Sequence, residues 1–460
     1  MKKMMCVVGL IGCMIMIASC NESIKADPAS YPVTLMTVDP GHFHAALVQK
    51  NMYPQLNPAV YVYAPQGPDV EGHLALIKNF NTRTENPTDW KTVTYRGDDF
   101  LEKAIAEKKG NVVMLAGNNR KKIEYIKTFV DAGVHVYSDK PMAIDKAGFD
   151  LLKEAFASAE KNNVLLYDIM TERYEITTML QKELAHTPAV FGELKNGTPE
   201  DPSVVKESVH HFFKYVSGNP LKRPGWFYDT TQQGEGIVDV TTHLVDLVQW
   251  EAFPEQIIDY NTDVTLLTAK RWPTVLTKEQ YQRSTALTDF PDELKPQLDA
   301  NGALPCYSNG EINYTLKGVH AKVKVLWNFE APEGAGDTHY SIMKGTKANI
   351  LIQQGKEQDY KPELYIEPAE GVLADSLNGA IYSAILQLQR KYPGVLMQRQ
   401  GDRWHIAIPS RYRVGHEAHF TQVTENYLKF LEAGKLPAWE VPNMIAKYYI
   451  TTAALEMAKK

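Results

Sequence analysis

Three residues of the sequence could form a centre for proton transfer. Asp239 and His243 are four residues apart, so both would project from one face of a helical turn. A histidine with a pKa near neutral pH, and a carboxylate to set its tautomer, can act as a general acid or base. Lys140 follows a predicted strand, where its cation could stabilise a substrate oxygen. From the residues alone, Asp239 could equally cap a helix, His243 could be a packed histidine, and Lys140 a solvated turn residue.

The segment before Asp239 is rich in polar and aromatic side chains, a combination that sugar-binding sites commonly use. We expect Lys214, Arg223 and Trp226 to contact a sugar, although any one of them could also pack in a surface loop. The polar and aromatic residues of the segment are His210, His211, Lys214, Arg223, Trp226, Tyr228, Asp229, Gln232 and Gln233.

Thirteen histidines raise the question of a metal site. Two of the local clusters, His42 with His44 and His210 with His211, have neither a HExxH-type helix nor cysteine partners. The sequence therefore predicts no metal centre.

Short apolar strands alternate with helices from residue 31 to residue 167, at the spacing of βαβ units. This alternation predicts a parallel, doubly wound, Rossmann-like sheet, with the strand ends and any ligand along one edge. Lys140 would lie on that edge. The predicted strands are 33–38, 59–63, 112–116, 134–137 and 164–167, and the predicted helices include 45–48, 99–109 and 121–132.

From residue 168 to residue 460 the pattern predicts an α+β domain with an open, mainly antiparallel sheet. Residues 311–316 and 319–327 alternate apolar with polar residues around Lys317-Gly318, which is typical of a hairpin. A chain of 460 residues is long enough for two domains of this kind. Further strands are expected at 257–267 and 349–353, and helices at 241–251, 376–392, 416–433 and 443–458, the last beginning after Pro442.

The turn after the first strand, Asp39-Pro40-Gly41-His42-Phe43-His44, lies where a dinucleotide-binding domain holds a pyrophosphate on backbone N–H groups. It keeps one glycine of the usual fingerprint. The second strand lacks the acidic residue that binds ribose, because the next carboxylate is that of Asp69. Phosphate contacts are expected from the backbone of Gly41, His42, Phe43 and His44.

Three segments resemble the Gfo/Idh/MocA family of sugar oxidoreductases, in the family's order and at a similar separation. Residues 132–141 (AGVHVYSDKP) are similar to the family's AGKHVLCEKP, and residues 115–119 (LAGNN) fall at its ATPN turn. Residues 234–246 (GEGIVDVTTHLVD) resemble its GGGxxxDxGxHxxD segment. The resemblance implies NAD or NADP as the cofactor, contacts to it from Gly117, Asn118, Asn119 and Lys140, and catalytic roles for Lys140, Asp239 and His243.

The N-terminal residues predict export. Lys2 and Lys3 precede an apolar run, 4–18, which is too short to span a bilayer comfortably and is typical of a signal peptide. The run ends in Ile17-Ala18-Ser19-Cys20, which resembles a bacterial lipobox. We therefore expect residues 1–19 to be a signal peptide, Cys20 to carry a lipid that anchors the exported protein to a bacterial membrane, and 20–30 to be a linker. A buried N-terminal helix or strand is the alternative.

Charge and cysteine usage narrow the class of protein. A formal net charge of −6 argues against a nucleic-acid-binding protein, which would usually be basic. Removal of the signal peptide and acylation of Cys20 would leave Cys306 alone, so we expect no internal disulfide.

The resemblance and the export signal together define the functional hypotheses. Outside the cytoplasm the NAD pool is absent or dilute, so we expect a tightly bound cofactor and hydride transfer at a hydroxyl of a sugar or glycoside. A second hypothesis is a redox-neutral glycoside hydrolase or lyase, in which oxidation acidifies the adjacent C–H, a substituent is eliminated and the hydride returns. A third is a catalytically inactive, lipid-anchored carbohydrate-binding protein. The resemblance also implies a homo-oligomer formed through the open face of the second sheet.

Overall fold

The computed structural model describes residues 32–216 and 219–460, which form two large sheets covered by helices. The predicted signal peptide, the linker and the lipid-bearing Cys20 lie outside these residues. Within the described ranges, no helix is long and apolar enough to cross a membrane.

The first sheet has six parallel strands. They are β1 (Leu35–Val38), β2 (Ala59–Ala64), β3 (Lys91–Arg96), β4 (Val112–Leu115), β5 (His135–Asp139) and β6 (Leu166–Ile169). Their order, β3-β2-β1-β4-β5-β6, is that of a Rossmann sheet. The helices that connect them are α1 (His44–Leu47), α2 (Pro68–Thr82), α3 (Phe100–Glu107), α4 (Asn119–Asp131) and α5 (Lys146–Lys161).

The edge strand β3 and the preceding helix α2 were not predicted from the sequence. Every residue of β3 is exposed or only partly buried, so the strand lacks the apolar run that marks the inner strands. Helix α2 buries only Val70, His73 and Ile77 against the sheet, which leaves its apolar stripe weak.

The second sheet has nine strands. Its members are β7 (Val204–Phe213), β10 (Val264–Leu276), β11 (Leu304–Leu316), β12 (Val319–Glu330), β13 (Thr338–Lys344), β14 (Ala348–Gln353), β15 (Glu363–Pro368), β16 (Leu396–Gln400) and β17 (Arg403–Ala407). Two short strands, β8 (Tyr215–Val216) and β9 (Asn219–Pro220), pair separately. The order is β10-β11-β12-β7-β13-β14-β15-β17-β16, and all neighbours are antiparallel except β7 and β12. The predicted fold class is thereby confirmed.

Helices of the second half cover one face of this sheet and reach the first. They are α6 (Ile176–Ala185), α7 (Thr230–Gln233), α8 (Thr241–Ala252), α9 (Lys278–Thr285), α10 (Ala374–Leu388), α11 (His416–Ala433) and α12 (Glu440–Ala458). Helices α11 and α12 add Phe420, Tyr427 and Tyr448 to the core of the parallel sheet. The ring of Tyr427 stacks on that of Tyr137 in β5, with centroids 4.4 Å apart and planes at 5°.

Two predicted boundaries are corrected, and one strand was not predicted. His210 and His211 belong to that strand, the central β7. Residues 257–263 are not a strand, since Ile257 is 55% exposed and β10 begins only at Val264. Helix α12 begins at Glu440, before Pro442, because a proline in the first helical turn removes no intrahelical hydrogen bond.

Candidate active site at the end of the parallel sheet

Lys140 immediately follows β5, at the C-terminal edge of the parallel sheet. Its Nζ donates to Oδ1 of Asp239 at 2.6 Å, and only 12% of its side chain is exposed. Burial alone would lower the pKa of Lys140, but the nearby carboxylates of Asp239 and Asp139 raise it above its ordinary value. Lys140 is therefore a fixed, desolvated cation.

The carboxylate of Asp239 is engaged by residues other than His243. Oδ1 accepts from Lys140, and Oδ2 accepts from Nε2 of Gln233 at 3.0 Å. Asp239 lies in the turn before α8, which begins at Thr241, and its side chain does not cap that helix. Four-residue spacing thus did not produce the expected Asp239–His243 pair, because both carboxylate oxygens face partners from elsewhere in the fold.

His243 lies in the first turn of α8. Its Nδ1 is buried and has no hydrogen-bond partner in the described part of the chain. Burial lowers the pKa of His243 well below its usual range, and the neighbouring cation of Lys140 lowers it further. The imidazole is therefore neutral at pH 7, and its Nδ1 is not satisfied by the residues that the structure describes.

A buried network of ion pairs fixes α8 to both halves of the molecule. Asp246, one turn after His243, accepts two hydrogen bonds from Arg173, each at 2.7 Å, and one from Lys447 at 2.9 Å. Burial opposes the charge on Asp246, but Arg173 and Lys447 outweigh it and hold its pKa far below its usual range. Lys447 also pairs with Asp168 of β6 at 2.8 Å. The network therefore sets the position of His243 relative to the parallel sheet.

Histidines of the turn after β1 reach across the end of β4 to the end of β5. Nδ1 of His44 lies 3.0 Å from Oδ2 of Asp139, and Nδ1 of His42 lies 3.6 Å from the same oxygen. Nε2 of His44 is 3.3 Å from Nε2 of His416, at the start of α11. Burial lowers the pKa of both His42 and His44 well below the usual range. No local pattern marks His416, which is distant in the chain, or indicates Asp139 as the partner of the two histidines.

Lys122 of α4 forms hydrogen bonds with the backbone at the end of β5. Its buried Nζ donates to the carbonyls of Asp139 and Pro141, at 3.0 and 3.2 Å, and to Oδ1 of Asn119 at 2.6 Å. Burial lowers its pKa to about 8. These bonds fix the backbone on either side of Lys140.

The crevice between β1 and β4, where the strand order reverses, is the place at which Rossmann sheets bind dinucleotides. Here Gly41 and Gly117 face each other so closely that a Cβ at Gly117 would lie 2.6 Å from Cα of Gly41. The indole of Trp226 covers Gly41, since a Cβ at Gly41 would lie 3.3 Å from the ring. Nε1 of Trp226 donates to Oδ2 of Asp69 at 3.0 Å.

Two other residues that were predicted to contact the cofactor, Asn118 and Asn119, form hydrogen bonds with other residues of the protein instead. Nδ2 of Asn118 donates to Oδ2 of Asp39 at 2.8 Å, and Nδ2 of Asn119 donates to the carbonyl of Gln233 at 2.7 Å. A pyrophosphate would need the space over Gly41, and the carboxylates of Asp39 and Asp69 would repel it. A dinucleotide would occupy this crevice only after the indole of Trp226 had moved away from Gly41.

Two of the predicted sugar contacts lie at the end of β7, while the third, Trp226, covers the crevice. Nζ of Lys214 donates to Asp337, which also accepts from Nδ1 of His210 at 3.0 Å. The Arg223 guanidinium donates to the carbonyls of Phe212 and His211, at 3.0 and 2.8 Å. Arg223 therefore stabilises the C-terminal end of β7 through its backbone carbonyls, and Lys214 neutralises the carboxylate of Asp337.

The fold joins a Rossmann-like parallel sheet to a mainly antiparallel sheet, and Lys140 and Asp239 meet at the C-terminal edge of the parallel one. Residues 180–459 match the family described as "Putative oxidoreductase C terminal domain". The chain belongs to this family. No curated protein sequence matches it.

Solved structures show the same architecture. A "putative oxidoreductase" from Parabacteroides merdae is 58% identical with a TM-score of 0.91, over 93% of this chain and 98% of that one. A levoglucosan dehydrogenase in complex with NADH is 14% identical with a TM-score of 0.58, over 93% and 97% of the two chains. KijD10, a 3-ketoreductase from Actinomadura kijaniata in complex with NADP, is 11% identical with a TM-score of 0.54, over 93% and 98%. At the two lower identities the likeness shows the fold alone.

Proposed function

We propose that this protein is an enzyme of oxidoreductase type that acts on a hydroxyl of a sugar or glycoside, held between Lys140 and His243. The observation that carries the proposal is the pairing of a buried cation with a neutral histidine whose Nδ1 is buried and without a partner. Buried polar groups are normally satisfied, and exceptions concentrate at functional sites. A substrate hydroxyl would satisfy Nδ1.

The two side chains would divide the work of proton transfer. Neutral His243 accepts the hydroxyl proton, and the ammonium of Lys140 stabilises the negative charge that develops on the oxygen. Asp239 keeps Lys140 charged and aims its Nζ, while Gln233 fixes the carboxylate through its other oxygen. The site thus supplies the base and the electrostatic stabilisation that oxidation of an alcohol requires.

The family relation makes NAD or NADP the expected hydride acceptor, as in the dehydrogenase and ketoreductase neighbours. The covered crevice over Gly41 supports a second candidate, a carbohydrate-binding protein without turnover. Net oxidation and redox-neutral cleavage of a glycoside differ in their products, a keto sugar in the first case and a released substituent with no net oxidation in the second. The predicted lipid anchor at Cys20 would place either activity on the outer side of a bacterial membrane.

The test is turnover of a panel of sugars and glycosides by wild type and by His243→Gln, with and without added NAD or NADP. Products are identified by mass spectrometry, and cofactor released by denaturing the purified protein is measured in the same way. We expect turnover that falls at least about 100-fold in His243→Gln, in the range typical of a lost general base, while sugar binding persists. Sugar binding without any turnover by the wild type would refute the enzyme and leave the carbohydrate-binding protein.

A further inference from the structure

We propose that His42, His44 and Asp139 bind one divalent transition-metal ion. The three side chains come from the segment after β1 and from the last residue of β5, and one ligand atom from each lies within 4.8 Å of the other two. This inference goes beyond the proposed function, because no step assigned to Lys140 or His243 depends on the ion.

The separations of the ligand atoms fit a single ion. Ligands at roughly 2.1 Å from a zinc-like ion lie about 3.0–3.5 Å from one another in octahedral or tetrahedral geometry. The observed distances from Oδ2 of Asp139 are 3.0 Å to Nδ1 of His44 and 3.6 Å to Nδ1 of His42. The chosen ligand atoms all lie within 4.8 Å of one another, so rotation of the two rings would centre an ion between them.

One ring nitrogen of the cluster has no partner and could bind a metal ion. Nδ1 of His42 is buried and has no hydrogen-bond partner among the residues that the structure describes. The carboxylate of Asp139 is only 6% exposed. A metal ion would engage Nδ1 of both histidines and the carboxylate together, which no proton arrangement achieves at these distances.

The surroundings of His44 match those of a metal-bound histidine, whose second ring nitrogen is normally held by another group. Nε2 of His44 faces Nε2 of His416 at 3.3 Å, and Nδ1 of His416 lies 3.9 Å from Oε1 of Glu172. A proton on Nε2 of His44, donated to His416, leaves Nδ1 of His44 free as a ligand. His416 is therefore a positioning residue for the proposed site.

Two imidazoles and one carboxylate indicate the class of ion. This set suits zinc, iron(II), cobalt(II) or manganese(II), whereas calcium and magnesium prefer all-oxygen sites. Three protein ligands leave coordination positions for water or for a substrate oxygen. Because Asp139 adjoins Lys140, such an oxygen would lie beside the proposed catalytic site.

The chain supplies its own matched control. His210, His211 and Asp337 also form a His–His–Asp cluster, with Nδ1 to carboxylate distances of 3.0 and 3.4 Å. There, however, the ammonium of Lys214 already occupies the carboxylate, and Nε2 of His210 bonds Oγ of Ser208 at 3.0 Å. We expect this second cluster to bind no ion.

The experiment titrates metal-free purified protein with Co²⁺, followed by its visible absorption, and with Zn²⁺ by calorimetry. We expect one ion per chain with a dissociation constant in the micromolar range or below. His42→Gln, His44→Gln and Asp139→Asn should each weaken binding at least about 100-fold, and His416→Gln by about 10–100-fold, as for residues that orient a ligand. Asp337→Asn should leave binding unchanged, and Mg²⁺ should not compete.

Thermal unfolding of each variant separates loss of a ligand from loss of the fold, and His42→Gln serves if Asp139→Asn fails to fold, because His42 is the more exposed ligand. Wild-type protein that binds Co²⁺ no more tightly than a folded ligand variant would overturn the proposal. Equal weakening by Asp337→Asn would also overturn it. Neither result bears on turnover through His243, so the two proposals fail independently.

Discussion

Trp226 closes the dinucleotide crevice, and its removal should open it. The indole ring covers Gly41, and its Nε1 donates to the carboxylate of Asp69 at 3.0 Å. A dinucleotide can occupy the β1–β4 crevice only when this contact is broken. Its apparent affinity is therefore reduced by the free energy that holds the tryptophan in place.

The magnitude follows from the contact. A hydrogen bond to a charged group contributes about 1.5–3 kcal/mol, and each 1.4 kcal/mol corresponds to a factor of ten in affinity. Trp226→Phe, which keeps a ring but loses the N–H, should therefore raise the affinity for NAD or NADP by about 10–100-fold. Trp226→Ala should raise it further, because the ring itself leaves the space over Gly41.

Isothermal titration calorimetry with NAD and NADP measures the effect. Asp69→Asn provides a second variant, which weakens the same hydrogen bond and also removes a negative charge from the path of the pyrophosphate. Thermal unfolding checks that each variant retains its fold. If the wild type binds a dinucleotide stoichiometrically and Trp226→Ala binds it no more tightly, the contact is not a barrier. If no variant binds, Trp226 is not what excludes the cofactor.

Three further predictions concern stability, each measured by urea unfolding. Asp246→Asn should lower the free energy of unfolding by about 3–5 kcal/mol, because it removes the buried carboxylate that both Arg173 and Lys447 bond. The exposed control Asp150→Asn should change it little, and equal effects of the two variants would contradict the network. Because the pKa of Asp246 is depressed, its stabilisation is present at neutral pH and is lost as the solution is acidified below the ordinary aspartate range. Gly117→Ala should lower the free energy of unfolding by at least about 2 kcal/mol, because the residue has φ +104° and its Cβ would contact the backbone of Gly41. An unchanged urea midpoint would show that the two loops can separate without cost. Burial raises the pKa of Glu175 to about 7, so its ionisation should lower the free energy of unfolding as the pH rises from about 4.5 to 7. Glu175→Gln should remove that decline and be more stable than the wild type by about 1–3 kcal/mol at pH 8. Parallel pH profiles of the two proteins would refute this role of Glu175.

Local patterns in the sequence predicted most of the architecture. The apolar runs that became β1, β2, β4, β5 and β6 are buried on both faces, so their composition marks them directly. Strand β7 was not predicted, because Lys206 and Ser208 interrupt its apolar residues. Lys206 is fully buried, where it pairs with Glu251 of α8 at 2.6 Å, a compensation that no local pattern reveals.

The candidate site was predictable only where it depends on strand ends and motifs. Lys140 and Asp239 are donor and acceptor of one hydrogen bond although they are 99 positions apart in the chain. The motif resemblance indicated both residues. The partner of Asp239 was predicted incorrectly, because spacing on a helix cannot show what approaches from another element. His416 and Asp69 likewise depend on tertiary packing, and neither has a local signal.

The dependence of the parallel sheet on α11 and α12 has a consequence for the order of events during synthesis. Phe420, Tyr427 and Tyr448 complete the core around β5 and β6, although they are made some 250 or more residues after those strands. While the polypeptide is still being elongated, the core around β5 and β6 lacks these side chains. We therefore expect the packing of these two strands to be completed only after the last helices have left the ribosome.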